Sequence, residues 1–462
     1  MLYCGLDFGT TNTKAVLLDE SMRLGGTVSL PIGPQEDSCR LSASIWLEHF
    51  YRIIEHFQNA GLIKNEKVAL SIAAQGGSFV ILDRQFEPIS PAYLWTGSSR
   101  KETVADLERT FGMDRFYKKT GWEPKGWMPV CKLKDWLAAC DDEKKHVSAV
   151  TTVPDFIVSR LTGRPVTDIT HAQMTGMFDI HTRKWDREIL GWCGCELDWM
   201  PQVLDSLQVF AEVKVRGVDV SLITSSHDQY AAMRAAGVDA VGEFMLGTGT
   251  AWVLNGKSDQ PLYDEKHFSI HPGCDLVGND YGYIATMGAV GQGYDRLLDR
   301  LGVSYEGLAG MEAEMTTMPV PRYAIEMDIS SGSVSEETKS PLLSMRRYME
   351  SAGAQVRFLL EKLDKIHDAK KIVMTGGAAS SGIWPAIVAG ICNIPVEAVT
   401  FHEMTAYGAA VYARMAMGGE TSSYNASEDQ ILRFEPFRVD EYNAWYQTRQ
   451  RPILERKNEN DR

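Results

Sequence analysis

Leu6-Asp7-Phe8-Gly9-Thr10-Thr11-Asn12-Thr13-Lys14 decides how the rest of the chain is read. Leu2 to Asp7 is short and apolar, and Lys14 to Asp19 is a second strand-like run, so Gly9 to Asn12 is a turn between two strands. Gly9 lets the backbone turn tightly and come close to a ligand. Consecutive N–H groups there, with the hydroxyls of Thr10 and Thr11, can cradle phosphate oxygens. Asp7 closes the strand, where a carboxylate can hold a hydrated Mg²⁺ on those phosphates, and Lys14 can add charge. Read alone, the run is equally an ordinary hairpin with a Gly-Thr turn.

Working outward, Gly25 to Leu30 reads as a third strand. Ile45, Leu47, Phe50, Ile53, Ile54 and Phe57 then recur at helical steps, and Val68 to Ala74 and Phe79 to Leu82 return to strands. Phe244 to Leu254 repeats the pattern of strand, glycine turn and strand around Gly247-Thr248-Gly249-Thr250. One phosphate-type turn in each half suggests a duplicated fold facing a shared site. No low-complexity linker separates the halves, and the motifs place the boundary near 241, giving domains 1–241 and 242–462. The polar stretch from about 450 reads as a frayed terminus.

Two further runs carry chemistry. Ser226-His227-Asp228-Gln229-Tyr230 follows the strand at Leu222-Ile223-Thr224 and precedes small residues suited to a packed helix. At such a junction Asp228 is either a helix cap or a general base aimed at a hydroxyl. In Val373-Met374-Thr375-Gly376-Gly377-Ala378-Ala379-Ser380-Ser381, a strand runs into paired glycines. A backbone bare of side chains offers a surface for an adenine or ribose.

The bulk properties narrow the class. The 462 residues are 44% hydrophobic and 23% charged, with a net charge of −14. That length suits two domains, and the acidic balance argues against a nucleic-acid partner. The eight cysteines are scattered, which reads as reduced cytosolic thiols. Cys193-Gly194-Cys195 lacks the further ligands a metal site needs. The N-terminus has no signal-peptide pattern. No run of roughly 18 apolar residues is present, so no membrane partner is expected.

Taken in order, these motifs resemble the FGGY carbohydrate kinase family across nearly the whole chain. Asp7 to Thr11 looks like its first phosphate motif, and Leu246 to Thr250 like its second. Ala74-Gln75-Gly76-Gly77-Ser78 through Asp83, with Pro88, Pro91 and Trp95, is similar to its sugar-contacting segment. Leu161-Thr162-Gly163, Thr167-Asp168, Thr175-Gly176 and Phe178 to Trp185 match a characteristic run closest to glycerol kinases. Thr375 to Ala378, with Ser381 and Trp384, resembles its adenosine motif, and Ala406 to Ala410 its closing helix.

The resemblance implies an α/β fold of two ribonuclease-H-like, actin-like ATPase domains with a catalytic cleft between them. It implies MgATP as donor and a cytoplasmic enzyme that phosphorylates a hydroxyl of a small sugar, polyol or sugar acid, xylulokinase-like or related. Homodimers are frequent in the family. Asp228 falls on the catalytic base and Asp7 on the metal-holding carboxylate. The nucleotide side comprises Gly9, Thr10, Thr11, Asn12, Lys14, Gly247, Thr248, Gly249, Thr250, Gly376, Gly377, Ala378 and Ser381. Gln75, Trp95, Trp127 and Asp228 are the candidate acceptor contacts, the tryptophans being equally suited to core packing.

The chain also departs from its relatives. Many carry Trp-x-Asp-x-Arg where this chain has Trp95-Thr96-Gly97-Ser98-Ser99-Arg100. Glycerol kinases usually carry Arg-Glu, and xylulose kinases Met-His, where Gly76-Gly77 stands. Glycerol is therefore not the expected acceptor, and the space left by the glycines is expected to admit a larger or differently shaped one. Pro385-Ala386 stands where many relatives have Arg-Gln. A kinase of a non-sugar alcohol such as a cyclitol, or a degenerate sugar- or nucleotide-binding sensor, stays open.

Overall fold

The computed structural model describes residues 1–462 except 34–36, 279, 336–339, 364–367, 420–429 and 461–462. Its first sheet starts with β1 (Leu2–Phe8), β2 (Asn12–Leu18) and β3 (Leu24–Pro31), an antiparallel meander. Helix α1 (Ser44–Asn59) follows and buries Trp46, Phe50, Ile53, Ile54 and Phe57, the apolar positions at three- and four-residue steps. β4 (Val68–Ala74) is buried along its whole length and pairs parallel with β1, as expected of a strand covered on both faces. β5 (Val209–Val215) and β6 (Val218–Ile223) complete the order β5-β6-β4-β1-β2-β3. Ser226 and His227 pair with Ala73 and Ala74 at the end of β4, and α2 (Asp228–Ala235) begins immediately after.

The second sheet repeats this plan. β7 (Glu243–Thr248) and β8 (Trp252–Ser258) form a hairpin, extended by β9 (Ile270–Cys274) and β10 (Tyr281–Thr286). Helices α3 (Val290–Leu301), α4 (Tyr305–Thr317) and α5 (Pro341–Lys362) precede β11 (Lys371–Gly376), which lies parallel to β7. After α6 (Trp384–Cys392), β12 (Val396–Val399) continues the parallel set, followed by α7 (Met404–Ala416), β13 (Ile431–Phe434) and α8 (Val439–Trp445). The order is β9-β10-β8-β7-β11-β12-β13. In both sheets an antiparallel hairpin is followed by a strand that lies parallel to its first strand on the far side.

The chain packs as two compact units that interleave along the sequence. One holds Met1–Gly237, His271–Gly282 and the described part of Glu403–Asn425; the other holds Val238–Ile270, Tyr283–His402 and the described part of Ala426–Arg462. A single cut after 241 therefore does not describe the packing. Helix α7 lies on β1, β2, β4 and α2 of the first unit. Two glycines permit the approach. A Cβ on Gly5 would stand 1.9 Å from the Ala406 carbonyl oxygen, and one on Gly408 would stand 1.7 Å from that of Ala231. Backbone cannot yield as a flexible side chain does. Gly408→Ala is accordingly expected to destabilise the first unit by about 3 kcal/mol, read as a lowered urea midpoint with the slope unchanged.

The expectation of a frayed terminus is corrected. Arg451–Asn460 is helical, with Arg451 bonded to Glu455 and Lys457 donating to the Met327 carbonyl. A charged run reads as solvated tail, but these charges find local partners along a helix. All eight cysteines are free thiols, and no group of three or more His, Cys, Asp or Glu among the described residues is arranged to hold a metal. Among the described residues no helix is long and apolar enough to cross a membrane.

Candidate active site

Strand register brings the candidate acceptor residues together in the first unit. Phe8 pairs with Ala74, so the turn after β1 and the residue after β4 leave the sheet together. His227 pairs with the same Ala74, which brings Asp228 to that edge as well. The Gly9 N–H closes the turn on the Asn12 carbonyl at 3.1 Å. Thr10 Oγ1 donates to Gln75 Oε1 at 2.5 Å and accepts from Trp95 Nε1 at 3.1 Å. Trp95, 45% exposed, is thereby held as an open aromatic face beside Gln75. Gln75 Nε2 and Asp228 Oδ1 are buried and accept or donate no protein hydrogen bond. His227 Nε2 stands 3.3 Å from Asp228 Oδ1. Unsatisfied buried polar groups are costly, and together these two offer a donor and an acceptor to a hydroxyl.

Asp7 and Lys14 face each other across β1 and β2. Burial, then the like charge of Asp228, pushes the Asp7 carboxyl up to about 7, while Lys14 acts in the opposite sense. Two carboxylates in one site resist joint ionisation, and a divalent cation would relieve them. A Mg²⁺ carried mainly by water and phosphate needs only one or two protein carboxylates, so Asp7 fits that role without a larger ligand cluster. Thr11 is exposed and accepts from Asn12 Nδ2 at 3.2 Å.

The segment carrying Asp228 is anchored from behind. Asp168 caps the short helix Ile169–Ala172, accepting from the Thr170 and His171 N–H groups. Thr170 Oγ1 in turn accepts the His227 N–H at 2.7 Å. Asp168 also holds His171 Nδ1 at 2.7 Å, and His171 Nε2 lies 3.3 Å from the Ala74 carbonyl. The Thr167-Asp168 run thus anchors the segment that carries Asp228.

Lys132 was unmarked by the sequence as a site residue. It is buried on the helix Pro129–Ala139 and donates to the carbonyls of Gly77 at 3.1 Å and Leu94 at 2.7 Å, tying together the segments that carry Gln75 and Trp95. Burial lowers its ammonium pKa to about 7. Arg100 is bound by Asp135 through Nε and Nη2, at 3.0 and 2.9 Å. This pairing closes the start of the helix Lys101–Phe111. Trp127 is half-buried and packs edge-on against Trp122, whose other partner is the stacked ring of His271.

The space beside Gly76 and Gly77 is filled, which corrects the expectation that it admits a larger acceptor. A Cβ on Gly76 would lie 2.7 Å from the His227 ring and from Met174 Cε. One on Gly77, at φ +76°, would lie 2.8 Å from Trp127.

The second unit holds a cavity of about 450 Å³ lined by Thr248, Gly249, Thr250, Gly377, Ala378 and Ser381, together with Trp252, Gly291, Tyr294, Asp295, Tyr305 and Glu312. Such a volume suits a nucleoside. Again register explains the assembly: Thr248 pairs with Gly376, so both glycine turns leave the sheet side by side. Thr248 Oγ1 donates to the Thr375 carbonyl at 2.6 Å and accepts from Ala378 N at 3.2 Å. Gly376, at φ +91°, passes so close that a Cβ would meet the Thr248 carbonyl at 2.9 Å. Gly376 thus lets the end of β11 pass close beside Thr248, whereas Gly247 lies within β7 and does not line the cavity.

Ser381 Oγ accepts from the N–H groups of Ile383 and Trp384 at 3.2 and 3.0 Å and donates to Glu312 at 2.5 Å. Glu312 also accepts the Gly382 N–H at 2.8 Å. The buried hydroxyl of Tyr294 and indole N–H of Trp384 have no protein partner, and both line the cavity. Backbone cradles with open polar atoms fit a nucleotide. Tyr294, Tyr305 and Glu312 were not found from sequence, because residues on α3 and α4 carry no turn motif to mark them.

Residues 2–233 match the N-terminal domain of the FGGY family of carbohydrate kinases, and residues 320–417 match its C-terminal domain. The glycerol kinase of Thermococcus gammatolerans is 24% identical over 466 residues, covering 89% of this chain and 88% of that protein. That of Pseudarthrobacter chlorophenolicus is 26% identical, covering 93% of each. In fold, the chain is similar to the xylulose kinase of Rhodospirillum rubrum, with a TM-score of 0.86 at 18% identity over 97% of each chain. It is also similar to Plasmodium falciparum glycerol kinase with ADP, with a TM-score of 0.82 at 17% identity over 98% of each. With both domain patterns met, the chain belongs to the FGGY family of carbohydrate kinases, phosphotransferases of the actin-like fold that use ATP and Mg²⁺.

Proposed function

We propose that this kinase transfers the γ-phosphoryl group of ATP to a hydroxyl of a small sugar, polyol or sugar acid, with Asp228 as the general base. The observation that carries the reading is the shared register at the end of β4. It brings the Gly9-Thr10 turn, Gln75 and Asp228 to one edge, with a buried donor and a buried acceptor left open. Gln75 orients the acceptor hydroxyl, and Asp228 accepts its proton as the new O–P bond forms. Trp95 lays its face against the C–H side of the acceptor, and Trp127 backs Gly77. In the second unit, the Thr248–Thr250 turn and the Gly377-Ala378 backbone hold the nucleotide. Asp7 would hold Mg²⁺, which when bound spreads and neutralises phosphate charge.

Asp7 and Asp228 are both present, and both glycine turns are formed, which supports an active enzyme over a sensor. The eight free thiols support a reducing, cytoplasmic setting. A coupled ADP-release assay with MgATP over ketoses, aldoses, polyols, sugar acids and cyclitols tests the reading. Acceptor-dependent ADP release on one class is expected. ADP binding by calorimetry without acceptor-dependent release on any class would overturn it.

A further inference from the structure

Positions 76 and 77 have no side chains, yet the space beside them is not open. Parallel pairing of Ser226-His227 with Ala73-Ala74 brings the His227 ring over Gly76, 2.7 Å from where a Cβ would stand. The same ring lies beside Asp228, with Nε2 3.3 Å from Oδ1, and its Nδ1 is buried without a hydrogen-bond partner. It packs edge-on against His171 and Tyr230, and Asp168 lies behind His171. Burial, against the pull of Asp228, lowers the imidazole pKa below its ordinary value, and the neighbouring His171 acts in the same sense.

Several cations of the flanking segments have neighbours among the described residues. Lys14 faces Asp7, Arg100 is held by Asp135, Lys125 lies 3.1 Å from Glu123, and Lys132 serves two carbonyls. The acidic groups Asp7 and Asp228 stand at the same edge. An anionic acceptor would meet the like charges of those two carboxylates there.

We propose that His227 selects the acceptor: its ring takes the space a side chain at position 76 would fill, and so shapes the place beside Asp228 for an uncharged polyhydroxylated compound. This rests on the reading of Asp228 as the base at the acceptor site. Selectivity is then supplied from the 226–228 segment, and the paired glycines are the space that segment requires.

The test compares wild type, His227→Gly, His227→Asn, Gly76→Ala and the double variant Gly76→Ala/His227→Gly. The probes are glycerol, D-xylulose and D-gluconate, each followed by ADP release and by calorimetric binding, with circular dichroism to confirm folding. Wild type is expected to prefer a neutral probe over gluconate by at least about tenfold in kcat/KM or affinity. The histidine variants should change the ratio among the three probes by about tenfold, with the KM for MgATP unchanged. Gly76→Ala should lower acceptor kcat/KM or affinity about tenfold, and the double variant should recover most of it. A uniform loss on every probe, an unchanged ranking (including unchanged absence of binding), a wild-type preference for gluconate, or no recovery in the double variant would overturn the proposal. An active Asp228→Asn enzyme would instead overturn the base assignment, leaving the ranking of the His227 variants to be read by binding.

Discussion

Asp228→Asn is expected to lower turnover by about 10²–10⁴-fold while nucleotide binding stays at the wild-type level. Asparagine keeps the volume of the side chain and can still stand at the start of α2. What it loses is the capacity to accept a proton from the attacking hydroxyl. The carboxylate is well placed for that step: it opens a helix, it is anchored through the His227 N–H to Thr170, and one of its oxygens has no hydrogen-bond partner in the protein. The nucleotide cavity is lined entirely by residues of the second unit, so the substitution leaves it intact. Asp7 should respond in a defined direction, because the like charge of Asp228 is one of the causes that raise its pKa. Coupled ADP release and ADP calorimetry on the same preparation separate chemistry from binding. Turnover within a few-fold of wild type would remove Asp228 from the role of base.

Glu350→Ala is expected to destabilise the second unit by about 3–5 kcal/mol. Glu350 and Arg346 are both 0% exposed on α5. One carboxylate oxygen receives Arg346 Nε at 2.9 Å and the Tyr442 hydroxyl at 3.2 Å, and the other receives Arg347 Nη1 at 2.5 Å. Alanine leaves two buried guanidinium groups facing each other without their shared anion. Removing one partner of a buried pair costs far more than the intact pair contributes. Tyr348, also on α5, donates to the Val290 carbonyl at the start of α3 at 2.8 Å, and α3 carries Tyr294 into the cavity wall. Loss of stability and a weaker grip on nucleotide should therefore appear together. Urea unfolding with and without ADP reads both, and a midpoint unchanged from wild type would contradict the assignment.

Much of this architecture is legible in the sequence because its turns are made by glycine and its strands by short apolar runs. Gly9, Gly247 and Gly376 read as turns at strand ends; Gly9 follows β1 and Gly376 closes β11, whereas Gly247 lies inside β7. Asp228 is legible as a strand-to-helix junction, since the small residues after it permit close helix packing. What escapes is whatever depends on contacts between distant segments. Gly76-Gly77 reads as vacant space, but the ring that fills it comes from His227, far along the chain and adjacent only through strand pairing. Lys132 reads as one lysine on an amphipathic helix, and only the fold shows its ammonium under the Gly77 and Leu94 carbonyls. Glu312 is one acid among several on α4, and its hold on Ser381 and Gly382 leaves no periodic trace.

Helix α7 has a consequence for how the molecule is made. Synthesis proceeds from the N-terminus, so β1 leaves the ribosome long before α7. The surface around Gly5 that receives this helix can form once β2, β4 and α2 have been made, but its occupant, Met404–Ala416, is still to be translated. All of Val238–Ile270 and Tyr283–His402 emerges in between. Domains that fold as they emerge usually finish in order of synthesis; here the first unit's sheet must wait, one face uncovered, until the intervening stretches of the second unit have been made. The nascent first unit is thus the stage most exposed to misassociation, and a protein ended before residue 404 would retain that exposed face permanently.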